Sequence, residues 1–215
     1  MRPVASPLFQ GLSAEEWAAL EQSGCLRTKS YPRHAVIFHA GEQVHALGVV
    51  LRGTVHIENL DLWGSKSILS SISAGQAFAE TYALCGDVMM VDAVAAEECE
   101  VLFVNISAFS DGAPDTVHEK LLRNLLTVSM RKNLSLSQRI FCTTPKTVRG
   151  RLLTYFSAQA ARSGSLQFEI PFNRQQLADY LNLDRSALSK ELCKMRDEGL
   201  LTFEKNRFAL NELPE

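Results

Sequence analysis

The stretch from Phe172 to Glu198, Phe-Asn-Arg-Gln-Gln-Leu-Ala-Asp-Tyr-Leu-Asn-Leu-Asp-Arg-Ser-Ala-Leu-Ser-Lys-Glu-Leu-Cys-Lys-Met-Arg-Asp-Glu, constrains the fold of this chain more than any other. It divides into two short amphipathic helices joined by a tight turn. Asn173 can cap the first helix, and Gln176 stands at the reciprocal capping-box position. Leu177 and Leu181 face inward, and the small Ala178 lets a second helix cross closely. Asn182-Leu183 makes the turn. Asp184 can cap the second helix, whose inner face is Leu188, Leu192 and Met195 at i, i+4 and i+7. Its outer face near the N-terminus offers Arg185, Ser186, Ser189 and Lys190. A helix-turn-helix needs this division, because its second helix packs by one side and lays the other in the major groove. Arg and Lys there can bind guanine O6 and N7, and Ser can serve several base edges. After Gly199, the runs Leu200–Phe203 and Arg207–Leu210 around Lys205-Asn206 read as a hairpin, or wing. The same spacing also fits an ordinary amphipathic helix pair with a solvated charged face. The caps and the wing favour DNA binding.

The rest of the chain has a different texture. Ser13, followed by Glu15 and Glu16, predicts a short helix to about Gln22. From Leu26 to Val104 come short β-type runs: Ala35–His39, Ala46–Arg52, Thr54–Glu58, Ser67–Ile72, Val91–Ala95 and Val101–Val104. Turn signals at Gly41, Gly53, Asp61 to Gly64, Gly75 and Gly86 separate them. Many short strands at regular spacing predict a sandwich or barrel. Pro114 to about Ser137 predicts a long helix. Leu121, Leu122, Leu125, Leu126 and Val128 give it an apolar face too wide for one seam, so it should have two partners. Thr144-Pro145 reads as a cap with Pro at the first position of the next helix, which runs to about Ala161. Leu166–Ile170 alternates like a strand.

Composition narrows the class. No run of about 18 apolar residues occurs, so no membrane span is expected, and the first ten residues do not resemble a signal peptide. The five cysteines, Cys25, Cys85, Cys99, Cys142 and Cys193, are scattered and odd in number. That speaks against a disulfide framework and for a reducing, cytoplasmic setting. Residues 1–139 hold 11 Lys and Arg against 15 Asp and Glu, and residues 140–215 hold 11 against 9. The asymmetry permits a DNA-binding C-terminal part without demanding one.

Taken together, these segments resemble the Crp/Fnr family of bacterial regulators over nearly the whole chain. The C-terminal match is carried by Asn173 to Lys190 and the wing. The N-terminal match is carried by His39-Ala40-Gly41-Glu42, Leu51-Arg52-Gly53-Thr54-Val55 and Gly75-Gln76-Ala77-Phe78-Ala79-Glu80, spaced as in the cyclic-nucleotide-type β-roll. The resemblance implies an α+β protein: an antiparallel β-roll of the jelly-roll type over residues 1–113, a dimerisation helix over 114–139 and a winged helix-turn-helix over 140–215. It implies a homodimer on double-stranded DNA with an inverted-repeat site, with RNA polymerase as a protein partner and a small-molecule effector in the roll. The base-reading positions fall on Arg185, Ser186, Ser189 and Lys190, and Asn173, Arg174 and the wing's Lys205 complete the DNA-binding set. The effector pocket would lie near Phe78, Glu80, Met89, Met90, Leu122 and Leu126.

The sequence departs from the family at the effector. Cyclic-nucleotide-binding members carry a Gly-Glu turn and, about ten residues later, an Arg followed by Ser or Thr that holds the phosphate. Here Ala79 replaces the Gly, and Met89-Met90-Val91 stands where the Arg and hydroxyl belong. A buried phosphate without a cationic partner is costly, so cyclic AMP is not expected. Cys25 stands alone where iron–sulfur members have a cluster. Cys85 has no nearby His, so haem is not expected either. His34, His39, His45 and His56 fit no recurring metal-ligand spacing. Cys85 beside Met89-Met90 is a candidate redox sensor, but reactivity needs a depressed pKa and access that the sequence does not display, and an ordinary thiol is the favoured reading. A competing reading is a cupin-like β-barrel enzyme with an appended interaction domain. It would need His and carboxylate ligands converging in the roll, and the sequence has no His-x-His, nucleophile elbow or Walker loop.

Overall fold

The computed structural model describes residues 5–60, 66–106 and 116–211. The turn expected at Asp61 to Gly64 and the helix start expected at Pro114 lie outside them. The chain forms two compact units, Met1–Ser129 and Met130–Glu215. The division falls within the long helix rather than at either of its ends.

The first unit opens with a 3-10 turn at Pro7–Phe9 and helix α1 (Ala14–Gln22). Helix α1 starts at the expected capping box: the Glu16 N–H donates to Ser13 Oγ (3.2 Å), and the Ser13 N–H donates to Glu16 Oε2 (2.7 Å). The strands follow as β1 (Leu26–Tyr31), β2 (Val36–Phe38), β3 (Ala46–Arg52), β4 (Thr54–Leu60), β5 (Lys66–Ser73), β6 (Ala77–Phe78), β7 (Asp92–Ala95) and β8 (Cys99–Asn105), with helix α2 (Glu80–Cys85) after β6. Two four-stranded antiparallel sheets result, ordered β1-β8-β3-β6 and β2-β7-β4-β5. This is the expected β-roll. Strands β1 and β6 and helix α2 were not among the expected elements.

Period-two alternation sends each strand of the first sheet into two cores. Val50, Val101 and Phe78 point between the sheets, against Phe38, Val55 and Ala93. Leu47, Val49, Leu102 and Val104 point outward, where Leu8, Trp17 and Leu20 cover them together with Leu121 and Leu125 of helix α3 (Thr116–Thr143). Strand β3 is therefore buried on both faces. Gly48 is required within it, because a Cβ there would stand 2.4 Å from the Phe78 ring. Lys120 Nζ meets Glu16 of α1 at 2.7 Å. Asn124 Nδ2 donates to the carbonyls of Leu8 (3.0 Å) and Gln10 (2.8 Å), so this amide fastens the N-terminal segment within its own chain. Among the described residues no helix is long and apolar enough to cross a membrane.

The second unit takes the end of α3, then α4 (Val148–Ser163), β9 (Gln167–Glu169), α5 (Arg174–Tyr180), α6 (Arg185–Asp197), β10 (Leu201–Glu204) and β11 (Arg207–Leu210). Helix α3 continues past Ser137 to Thr143. The cap of α4 is Thr147, not Thr144: Thr147 Oγ1 accepts from the Gly150 N–H at 3.0 Å. Gly150 also leaves room for Pro145, whose Cβ would stand 3.0 Å from a side chain there. One core joins Cys142, Leu152, Tyr155 and Phe156 to Leu177, Leu188, Leu192 and Met195. The small antiparallel sheet, ordered β10-β11-β9, packs Phe208 and Leu210 into it.

The turn between α5 and α6 leaves helix-end carbonyls that need donors. Two arginines supply them. Arg151 donates to the carbonyls of Leu181 (3.0 Å), Asn182 (2.8 Å) and Pro145 (2.8 Å). Arg139 donates to those of Tyr180 (3.1 Å) and Asp179 (3.2 Å) and to Asn182 Oδ1 (3.3 Å). Asn182 itself is left-handed, at φ 51°. Replacing Arg151 by Ala should strand two part-buried carbonyls, those of Pro145 and Leu181, and an exposed one at Asn182. We expect a loss of about 2 kcal/mol, since bonds to charged groups contribute roughly 1.5–3 kcal/mol and partial exposure reduces the effect. The melting temperature of this unit should fall by several degrees, and Arg151→Lys should recover little because one ammonium cannot span three acceptors. Unchanged thermal denaturation of Arg151→Ala would show that these carbonyls find water instead.

Candidate nucleic-acid interface

Helix α5 begins at the predicted capping box. The Gln176 N–H donates to Asn173 Oδ1 (2.9 Å), and the Asn173 N–H donates to Gln176 Oε1 (2.9 Å). Leu177, Ala178 and Leu181 are fully buried, as are Leu188, Leu192 and Met195 of α6. The Leu183 N–H donates to the Ala178 carbonyl at 2.9 Å and closes the turn. Asp184 caps α6 by accepting from the Ala187 N–H at 2.9 Å. The Ser186 hydroxyl also donates to Asp184 Oδ1. These bonds, the Ser186 hydroxyl first, hold the Asp184 carboxyl below the usual carboxylate range.

The candidate contact residues fall into distinct settings. Arg185 and Lys190 are exposed on the first turns of α6, and Ser189 is half-buried beside them. Ser186 is exposed, but its hydroxyl proton is committed to Asp184, which leaves it acceptor lone pairs for a ligand. Lys205 is exposed at the wing tip in a left-handed conformation (φ 53°). Asn206 beside it donates to Glu169 Oε1 (2.7 Å), which ties the tip to β9. Asn173 is exposed with its side-chain oxygen used as the cap. Arg174 is half-buried, and its guanidinium lies 4.6 Å from the centroid of Phe203 and 5.1 Å from that of Phe208. Burial lowers its pKa. Arg174 therefore braces the wing against α5 through cation–π contacts.

Arg149 was not foreseen from the sequence. Its guanidinium bridges Glu191 (2.6 Å), midway along α6, and Glu198 (2.7 Å), just beyond its end. Its pKa is raised by Glu198 first and then Glu191, and Glu198 is lowered in turn. With Arg139 and Arg151 it sets the pose of the second helix. The faint signal was charge pairing across elements, which spacing along one helix cannot reveal.

The expected effector set is split in the N-terminal unit. Phe78, Glu80 and Met89 are buried. Met90 is 77% exposed, and Leu122 and Leu126 are exposed on α3. Leu121 and Leu125 are the residues of that helix that pack on the roll, and they do so on the outer face of the first sheet. The backbone of Met89 is bonded into the Gly41-Glu42 turn at 2.7 and 2.8 Å, which turns the next residue outward. Among the described residues, no three His, Cys, Asp or Glu side chains gather in a way that could hold a metal ion.

Comparison with known proteins agrees with these two units. The cyclic nucleotide-binding domain matches residues 28–112, and the Crp-like helix-turn-helix domain matches residues 150–215. No curated protein is similar enough to count as a match. Among solved structures, the catabolite activator protein of Thermus thermophilus is 25% identical, with a TM-score of 0.49, over 97% of this chain and 95% of that one. FixK2 of Bradyrhizobium japonicum is 20% identical, with a TM-score of 0.51, over 87% and 93%. CprK complexed with OCPA is 13% identical, with a TM-score of 0.66, over 93% and 90%. The last two show likeness of fold. A β-roll followed by a winged helix-turn-helix, each matched by its own domain family and together taking in well over half of the sequence, makes this chain a member of the Crp/Fnr family of transcription regulators.

Proposed function

We propose that this regulator works as a homodimer that reads an inverted-repeat site in double-stranded DNA, under control of a small molecule held in the β-roll. The observation that carries the DNA reading is the free N-terminal face of α6, where Arg185 and Lys190 stand exposed above a capped, immobilised first turn. Two such helices related by a twofold axis would meet successive major grooves, so half-sites should lie about 34 Å apart. RNA polymerase is the partner that a protein bound there would meet.

Dimerisation through α3 is supported by its apolar residues. Leu122, Leu126, Met130 and Leu134 recur every four residues and are all more than half exposed, reaching 70% at Leu134. A stripe of that length on one helix suits a second copy of the same helix. Asn124 would fix the register of such a seam only if it faced it, and its amide is bonded instead to the Leu8 and Gln10 carbonyls of its own chain. The effector reading leaves out cyclic AMP. Ala79 is left-handed (φ 61°), and the exposed Met90 and the half-buried Val91 offer a phosphate no charge.

Sedimentation at micromolar protein should show a dimer, and Leu126→Glu with Leu134→Glu should shift it to monomer. A wild-type monomer, with or without DNA, would sink the dimer reading. Calorimetric titration with cyclic AMP should give no micromolar binding; such binding would overturn our placement of the phosphate turn. Arg185→Ala should cost about 1–3 kcal/mol per half-site and relax preference at one base pair. Lys205→Ala should weaken all sequences alike and lower the salt slope by about 1. If Arg185→Ala keeps its sequence preference across a randomised site library, α6 does not read the bases.

A further inference from the structure

A concave site lies at the edge of the first sheet opposite β6 and the Phe78-Ala79-Glu80 turn. It is a cavity of about 360 Å³ in the N-terminal unit, a volume within the range of small-molecule sites. Strand β1, the far edge of the first sheet from β6, supplies Arg27, Lys29 and Tyr31. Strand β8 supplies Phe103 and Asn105, and β2 supplies Phe38.

The walls divide by chemistry. Tyr31 and Phe38 are buried and Phe103 half-buried, and the three rings form a continuous floor. Phe103 lies 6.2 Å from Tyr31 and 5.6 Å from Phe38, edge-on to both. The rim is cationic. Arg27 and Lys29 are exposed and two residues apart on one strand, so both project from the same face with Cα atoms about 6.6 Å apart. Lys29 Nζ sits 4.7 Å from the Tyr31 centroid. Among the described residues no carboxylate lines the cavity, and neither cation has one within salt-bridge reach. Two like charges at this spacing repel each other, and an anion between them would relieve that repulsion. Inward positions of a strand in a roll normally carry apolar residues. In β1 they carry Arg and Lys.

We propose that this cavity binds an amphipathic organic anion, its carboxylate or phosphate head between Arg27 and Lys29 and its planar apolar body against Phe103 and Tyr31. Guanidinium and ammonium donors hold the head, and the rings take the body. The floor continues inward, since Phe38 lies 5.9 Å from Phe78, the ring wedged against Gly48 and followed directly by the left-handed Ala79. A ligand pressing on Phe103 and Phe38 therefore bears on the β6–α2 turn. The binding claim stands on the roll alone; its role as the effector site rests on the regulator reading above.

The test uses the full chain without DNA. Phenylacetate and phenyl phosphate are titrated by calorimetry and thermal shift, beside neutral phenylacetamide and bare acetate. At least one aromatic anion should bind in the millimolar range or tighter and raise the melting temperature, because a ligand that prefers the folded state stabilises it. Arg27→Gln with Lys29→Gln should weaken that binding roughly tenfold or more while leaving the unliganded melting temperature nearly unchanged, since both side chains are exposed. Phenyl phosphate binding in preference to phenylacetate would identify a phosphate head, and the reverse a carboxylate. The proposal is overturned if neither anion binds, if phenylacetamide or acetate binds as well, or if the double variant binds like the wild type. Operator affinity is then measured with and without the anion that binds. No change there would leave the site standing and remove it as the regulator's control point.

Discussion

Helix α3 must bury residues in two different cores within 28 residues. Its first half places Leu121 and Leu125 on the outer face of the first β-sheet, and Cys142 near its end belongs to the core of the C-terminal unit. A helix turns 100° per residue, so a side chain four positions on has rotated by about 40°. Apolar residues that serve the roll at Leu121 and Leu125 leave their neighbours Leu122 and Leu126 facing away from it. The exposed stripe is thus a geometric consequence of fastening the helix to the roll with an apolar pair and then repeating apolar residues beside it. Three of its polar residues are committed within the chain. Lys120 pairs with Glu16, Asn124 holds the N-terminal segment, and Arg139 caps the helix-turn-helix.

This double duty explains which parts of the fold were legible in the sequence. The winged helix-turn-helix was read closely, because its caps, its inner leucines and its turn all lie within contiguous residues. Asn173, Gln176 and Asp184 do what their positions predict. Strands β3 and β8 were legible for a different reason. Buried on both faces, they read as continuous apolar runs. The cap of α4 was misread because Thr144-Pro145 offers the usual cap-and-proline pattern. The backbone does not enter the helix until Thr147, and Gly150 makes room for Pro145 to fold over the first turn.

What escaped the sequence was long-range. Strand β1, Leu-Arg-Thr-Lys-Ser-Tyr, lacks the apolar alternation of its partners because two of its inward positions hold cations at a cavity mouth. The pattern that identifies a half-buried strand fails where the strand lines a polar opening. The effector set divided for a related reason. Phe78 and Met89 enter the roll's interior while Met90 leaves it. Neighbours in sequence then lie on opposite sides of a boundary that no local pattern marks. Arg139, Arg149 and Arg151 were likewise invisible, since apart from Pro145 their partners lie 30 to 49 residues away.

Pairing within the C-terminal unit also divides its cations into different roles. Among the basic residues of the C-terminal unit, Arg149 is held by two glutamates, Arg151 by three carbonyls, Arg174 by two rings, Arg196 by Asp197 and Arg207 by Glu169. Arg149, Arg151 and Arg174 build the domain, whereas Arg196 and Arg207 pair at the exposed surface, where an ion pair contributes little. Arg185 and Lys190 are different. They occupy the first two turns of α6, where the helix dipole favours acidic side chains, and the first turn of that helix has none. A helix optimised only for stability would carry Asp or Glu at Arg185. The cap Asp184 offsets part of the cost, and its carboxylate is further stabilised by Ser186. A local rule broken at an exposed position, with the compensation built immediately beside it, is what the proposed base contact at Arg185 requires. Arg185 differs in this from the other arginines of the domain, and the difference lies in the energetics of the unbound protein.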